Sequence, residues 1–332
     1  MKSRIRKKLV RFLSVVKWST HTGQHSNPKR QSVDQFAGRI MRLLVIATVL
    51  LVPLIAIALF IRAYPILTST PIGELLTSDS WHPLKGQFGL YPFILGTLSV
   101  TTLSMIIAVP LSLLTAIYLA EYASIRVRSI MKPLIDLLAG IPSVVYGVWG
   151  VLTIVPMIRN FAAPTLDRWL GFIPWFRSDN PTGYSMLAGG VVLAVMVFPI
   201  IIAVAEEVIR SVPGGLVEAS LALGATRWQT IKYVVMRRAG AGVLAAVVLG
   251  FSRAFGETMA VMMVVGNAAR APNSIFDAVY PLTALIANNY GEMMSIPLYD
   301  AALLGAALIL LVVVLAFSIA SRLVIVRIIQ ST

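Results

Sequence analysis

Five stretches of this sequence run without a charge for about 20 residues or more, long enough to cross the ~30 Å hydrocarbon core of a bilayer as helices. They are about Leu43–Ile61, Phe93–Ala120, Leu137–Ile158, Tyr184–Ala205 and Ala301–Ser321. A sixth, Ala241–Gly266, is interrupted only by Arg253 and Glu257. No water reaches the bilayer core to satisfy backbone N–H and C=O groups, so such runs must close their own hydrogen bonds as helices. The expected fold class is an all-α membrane protein of about six spans. Only 13% of the residues are charged, against ~25% in an ordinary soluble domain. Pro53, Pro110, Pro142, Pro156 and Pro199 lie inside the runs and predict kinks.

Net charge is +14, but the positive residues are segregated along the chain. They crowd the amino-terminal tail from Lys2 to Arg42, the second connection (Arg126, Arg128, Lys132), the fourth (Arg210, Arg227, Lys232, Arg237, Arg238) and the carboxyl tail (Arg322, Arg327). With six spans all four groups fall on one side, which the positive-inside rule makes the cytoplasm, with both termini inside. This pattern is topology rather than a nucleic-acid surface. The chain has no cysteine, which excludes disulfides and thiol-metal sites. His21, His25 and His82 lack metal-ligand spacing, and no metal or cofactor is expected.

Residues 1–38 read as a basic cytoplasmic tail, retained because no small-residue cleavage site ends the first apolar run. Ile5, Leu9, Phe12, Leu13 and Val16 recur at helical spacing opposite basic residues. That pattern suits a helix lying on anionic lipid, or else a disordered tail that only fixes topology. Ser19 to Gln35 reads as a flexible polar linker. Residues 39–90 hold the first span and an external loop, and 91–330 the remaining transmembrane domain. The far-side loops, about Arg62–Leu90, Arg159–Gly183 and Asn267–Asp300, carry Trp81, Trp169, Trp175, Tyr280 and Tyr290. Most of these aromatics are expected to anchor at the headgroup level; a docking surface for an external partner uses the same residue types.

An ionised group at mid-bilayer costs roughly 2.5 to 3.5 kcal/mol on insertion scales, so Arg253 and Glu257 mark where to look for function. Four residues apart on a continuous helix, they project from one face and can touch. Thr258, Ser252 and Asn267 add neutral donors nearby, ranked lower because hydroxyls in membrane helices commonly bond their own helix. Asp136, near the cytoplasmic boundary, is expected to cap or snorkel.

The fourth connection, residues 206–238, is too charged to cross the membrane yet reads as helices. Pro213-Gly214-Gly215 breaks the chain; Leu216, Leu221 and Leu223 then lie among Ala219, Ser220 and Ala222. Gly224 supplies a turn before Trp228, Ile231 and Val235 resume an apolar face. Such a helix–Gly–helix unit at the inner membrane face is a candidate docking knob for a cytoplasmic partner. A phosphate-cradling loop G-x-x-x-x-G-K-[ST] is missing: Gly250 to Gly256-Glu257-Thr258 has the wrong spacing and an acid where lysine is required. The chain is therefore expected to be no enzyme, with any ATP hydrolysis done by a separate subunit.

Glu218-Ala219-Ser220, Gly224 and Ile231 resemble the EAA loop of bacterial ABC importer permeases. Ile231 falls earlier than the strict pattern, and Met236-Arg237 stands where Leu-Pro is usual. The run Gly250-Phe251-Ser252-Arg253-Ala254-Phe255-Gly256-Glu257-Thr258-Met259-Ala260-Val261, with Val265-Gly266-Asn267 and the GATRW at Gly224–Trp228, is similar to the phosphate importer permeases, PstC type. The resemblance covers about Leu90 to the carboxyl terminus. It implies a type I, MetI-like permease fold in a bacterial inner membrane, multi-pass, working by alternating access. It also implies a second permease subunit of PstA type, a cytoplasmic ATP-binding subunit of PstB type and an external phosphate-binding protein of PstS type. Glu218, Ala219, Ser220, Gly224, Ala225 and Thr226 would then couple to the ATPase. Arg253, Glu257 and Thr258 would line the phosphate pathway: arginine offers a planar fork of donors to a tetrahedral oxyanion, and glutamate limits the hold. The same pair also suits an ion pair packing two permease subunits. On chemistry alone sulfate or molybdate fits as well, and a proton-coupled secondary transporter would use Glu257 as proton carrier.

Overall fold

The computed structural model describes residues 28–331 apart from 293–295 and 297, with terminal side chains described from Phe36 to Arg327. The helical spacing expected at Ile5, Leu9, Phe12, Leu13 and Val16, and the first part of the expected linker, lie outside the described residues. From Pro28 the chain is already helical, in α1 (Pro28–Ser69). The linker expected as far as Gln35 is thus overturned over residues 28–35. Proline pre-sets the first-turn φ, and the Lys, Arg and Gln that follow are good helix formers.

Contacts divide the chain into two units, Met1–Ile55 and Ala56–Thr332. In the first, Leu43, Leu44, Leu50 and Leu54 are all exposed, as suits a helix whose solvent is hydrocarbon. In the second lie α2 (Ile72–Thr77), a short antiparallel hairpin of β1 (Trp81–His82) and β2 (Gln87–Phe88), and α3 (Tyr91–Tyr122), which ends in a π turn. Then come α4 (Ile125–Ala139), α5 (Ser143–Leu170, interrupted by two π turns), α6 (Met186–Arg210) and α7 (Gly214–Ala222). The chain continues with α8 (Arg227–Phe255), α9 (Met259–Val264), α10 (Leu282–Asn289) and α11 (Tyr299–Ser331). Among the described residues, six helices are long and apolar enough to cross a membrane: α1, α3, α5, α6, α8 and α11.

Helix α6 is the axis of the second unit, with both faces packed. A Cβ at Gly189 would meet Val265 Cγ1 at 2.6 Å, and one at Gly190 would meet Leu103 Cδ2 at 2.9 Å. Small residues here let the neighbours approach closely, the usual basis of helix association in lipid. A second apolar cluster, including Ala116, Ala205, Ile209, Val235, Ala239 and Val243, joins α3, α6 and α8 at the inner side.

Two expectations are corrected. The third span begins at Ser143 rather than near Leu137. Pro142 disfavours helix at the residue before it, and α4 forms ahead of that break as a separate helix striped with Arg126, Arg128, Lys132 and Asp136. On the far side, Trp81 and Tyr280 are not interfacial anchors. Trp81 stands edge-on to Phe88 and Phe93, centroids 5.7 and 5.0 Å apart. Tyr280 lies 5.3 Å from Phe93 and accepts hydrogen bonds from Asn288 and Asn289. The hairpin folds Trp81 onto Phe93 of α3 and Tyr299 of α11, while Tyr280 reaches the same Phe93 from the turn before α10, so both rings are packed within the protein. Trp169, Trp175 and Tyr290 are exposed.

Candidate functional site

The fifth span does not run unbroken to Gly266. α8 ends at Phe255, with Gly256 as its C-cap, and the chain becomes helical again only at Met259. Glycine is a poor helix former, and the opened backbone is satisfied from elsewhere: Thr283 Oγ1, on α10, donates to the Glu257 carbonyl at 2.9 Å. Arg253 and Glu257 are therefore not two side chains on one continuous helical face. The Glu257 carboxylate instead accepts from the Ala260 N–H at 3.2 Å, capping α9. None of the ion pairs among the described residues uses Arg253 or Glu257. Arg253 sits exposed in the last turn of α8, where a cation suits the negative end of the helix dipole.

The neutral donors divide. Ser252 Oγ donates to the Val248 carbonyl of its own helix at 2.9 Å. Thr258, beside the break, makes only a long 3.4 Å contact to the Gly256 carbonyl. Asn267 follows the tight turn at Gly266, whose φ of +86 brings it against Ala278. Its Nδ2 donates to the Met262 carbonyl, while its Oδ1 is buried without a protein partner.

At the other end of α8 the helix–Gly–helix unit is present. α7 starts after Pro213 and ends before Gly224, whose φ of +85 turns the chain. Thr226 then opens α8 with a capping box: its Oγ1 accepts from the Gln229 N–H, and Gln229 Oε1 accepts from the Thr226 N–H at 2.8 Å. This reciprocal pairing satisfies two donors that a helix start leaves free. No residue of α7 is buried; Glu218 and Ala219 are exposed, and Leu223 is 89% exposed. Ser220 is half-buried through a 2.9 Å hydroxyl contact with Thr230. Trp228 does not share the inward face of Ile231 and Val235. Those two are buried, but Trp228 belongs to the first turn, ahead of the packed cluster, and is 53% exposed.

Sequence reasoning passed over a third polar group. Glu206, in the last turns of α6, is 4% exposed and pairs with Arg128 at 3.8 Å and Arg210 at 3.3 Å. Asp136, expected only to cap or snorkel, lines an open cleft of about 580 Å³ beside Arg128, Lys132 and Arg210. The signal was the glutamate directly after an uncharged run of Val, Ala and Ile.

Six spans, an exposed cytoplasmic helical knob and a fifth span that breaks beside a charge without an ion-pair partner among the described residues describe a membrane permease. The chain belongs to the binding-protein-dependent transport system inner membrane component family, which residues 108–330 match. It is 37% identical over 304 residues to the probable ABC transporter permease protein YqgH of Bacillus subtilis, covering 90% of this chain and 93% of that one. With the phosphate transport system permease protein PstC of Pasteurella multocida it shares 36% identity over 286 residues, covering 82% and 89%. Among solved structures, a bacterial ABC transporter involved in importing the acidic polysaccharide alginate superposes with a TM-score of 0.54 at 17% identity, covering 90% of this chain and 99% of that one. The MetNI methionine ABC transporter, in an inward-facing form, gives a TM-score of 0.50 at 21% identity, covering 70% and 93%. At these identities the two structures establish the fold alone.

Proposed function

We propose that this chain is a channel-forming subunit of an ATP-driven importer of inorganic phosphate. The reading is carried by its similarity to PstC proteins over most of its length. It is supported by an arginine that has no ion-pair partner among the described residues where the fifth span breaks. Arg253 presents a fixed charge and a planar fork of donors to a partly dehydrated tetrahedral anion. Glu257, just across the break, repels a bound anion and keeps the site weak enough to release it; Thr258 adds a neutral donor. One helix, α8, joins this break to the segment at its cytoplasmic start.

The chain holds no ATPase of its own on this reading. A separate nucleotide-binding subunit grips α7 and the turn after it, through Glu218, Ala219, Ser220, Gly224, Ala225 and Thr226. The mostly exposed surface of α7, with no residue fully buried, supports this, because a partner can reach its backbone. A homologous second permease subunit completes the channel, and an external phosphate-binding protein delivers substrate to the far-side loops.

The test is uptake by the assembled complex in vesicles. Phosphate entry should require ATP and cease when Leu216–Gly224 is deleted, with the protein still in the membrane. Uptake that survives ATP depletion and collapses with the proton gradient would instead make Glu257 a proton carrier. Competition by sulfate or molybdate equal to that by phosphate would overturn the substrate.

A further inference from the structure

A helix C-terminus leaves its last carbonyls without intrahelical donors. At the inner end of α3 three successive carbonyls are taken up by two arginines from different parts of the chain. Arg128, on α4, donates through Nε and Nη2 to the Leu119 carbonyl at 2.9 and 2.7 Å, and through Nη2 to the Ala120 carbonyl at 2.9 Å. Arg227, the first residue of α8, donates to the Glu121 carbonyl, and its guanidinium stands 5.1 Å over the Tyr122 ring. The same Arg128 pairs with buried Glu206 near the end of α6, and Arg210 holds that carboxylate from the next turn. Glu206 and Arg227 are the two roots of the segment that carries α7. Both roots are thus tied, through guanidinium groups, to one turn of α3.

We propose that Arg128, Glu206 and Arg227 are positioning residues that clamp the inner end of α3 to both ends of the α7 segment, so that a displacement of α7 carries α3 with it. This rests on the reading of α7 as the ATPase contact. The arrangement suits force transmission because the base is tightly packed while most of the knob is exposed. Beneath the arginines, Ala116, Ala205, Ile209, Val235 and Ala239 pack α3, α6 and α8 together. A Cβ at Gly242 would collide with Val208 Cγ1, so α8 lies close on α6. α7 has no fully buried residue and touches this base only through half-buried Val217 and Ser220. A point charge replaces such clamps poorly: each arginine uses its fork, on two carbonyls or on a carbonyl and a ring face, and lysine lacks that plane.

The chain has no cysteine, so spin labels can be placed at exposed Tyr118 and Tyr233 in the complex assembled with its ATPase subunit. The distance between them, read by pulsed electron resonance, should be the same without nucleotide and with ATP trapped. In the Arg128→Gln/Arg227→Gln variant, ATP should shift or broaden it, and ATP hydrolysed per anion taken up should rise several-fold. A role confined to capping α3 would lower hydrolysis and uptake in proportion. A nucleotide-dependent distance in the parent complex, or an unchanged hydrolysis-to-uptake ratio in the double variant, would overturn the clamp. If the double variant does not assemble, the parent distance decides alone. A parent that hydrolyses ATP but ignores phosphate sinks the substrate reading and leaves the distance test intact. A chain that retains no ATPase sinks the coupling reading and the clamp together.

Discussion

Two groups of charge sit in or beside the bilayer of this protein, and they are treated in opposite ways. At the inner end Glu206 is buried between Arg128 and Arg210, and Arg128 also fills the carbonyls of the neighbouring helix end. At the break in the fifth span Arg253 and Glu257 lie close in sequence, yet no ion pair joins them. The inner group carries the cost of taking Glu206 out of water, whereas Arg253 is exposed. The inner group offsets that cost within the chain and is rigid as a result. The outer arginine has no ion-pair partner among the described residues, which on the proposed reading leaves its donors for an anion. Charges satisfied by their own chain hold a fold in place, whereas charges left short of partners are where a ligand can add something.

That contrast can be broken by substitution. Arg253→Gln should have the largest effect, because hydrogen bonds to a charged group are worth about 1.5 to 3 kcal/mol. Uptake by the reconstituted complex should fall by roughly ten- to a hundredfold at normal assembly; uptake near the parental level would reduce the pair to subunit packing. Glu206→Gln should act on stability rather than on the substrate. Removing one partner of a buried pair costs ~3–5 kcal/mol, and here about 2 kcal/mol is expected because the Arg210 side chain is 46% exposed and partly screened. Thermal unfolding of the detergent-solubilised chain reads this, and an unchanged midpoint would show the cluster to be idle. Gly224→Ala meets open space but keeps a φ of +85, a strain of about 1 to 2 kcal/mol. ATP hydrolysis stimulated by substrate should drop a few-fold while the protein level holds. The smallest effect belongs to Ser252→Ala. Its hydroxyl serves its own helix, so uptake should match the parent and stability should move by less than ~0.5 kcal/mol.

Much of the site was legible because its signals are local. Gly224 needs a positive φ and Thr226 finds its capping partner three residues on, so the turn and the start of α8 are written within one short segment. The same local logic misled at Arg253 and Glu257. Spacing of four implies contact only if the helix continues, and whether it continues past Gly256 depends on Thr283, far along the chain, supplying a donor to the opened backbone. Trp81 was misplaced for a related reason. A lone tryptophan near a span end suits a headgroup, but the hairpin brings Phe88 and Phe93 against it.

By itself the sequence determined the class of molecule, the number of spans, their sidedness and the exposed knob. These follow from the length of apolar runs, the bias of lysine and arginine between loops, and the backbone preferences of glycine and proline. Only the tertiary structure decided which charges are satisfied and which are free. Arg128 and Glu206 lie on different helices, so whether they attract or simply cost solvation energy is set by distance in space and by burial, neither of which the order of residues along the chain encodes.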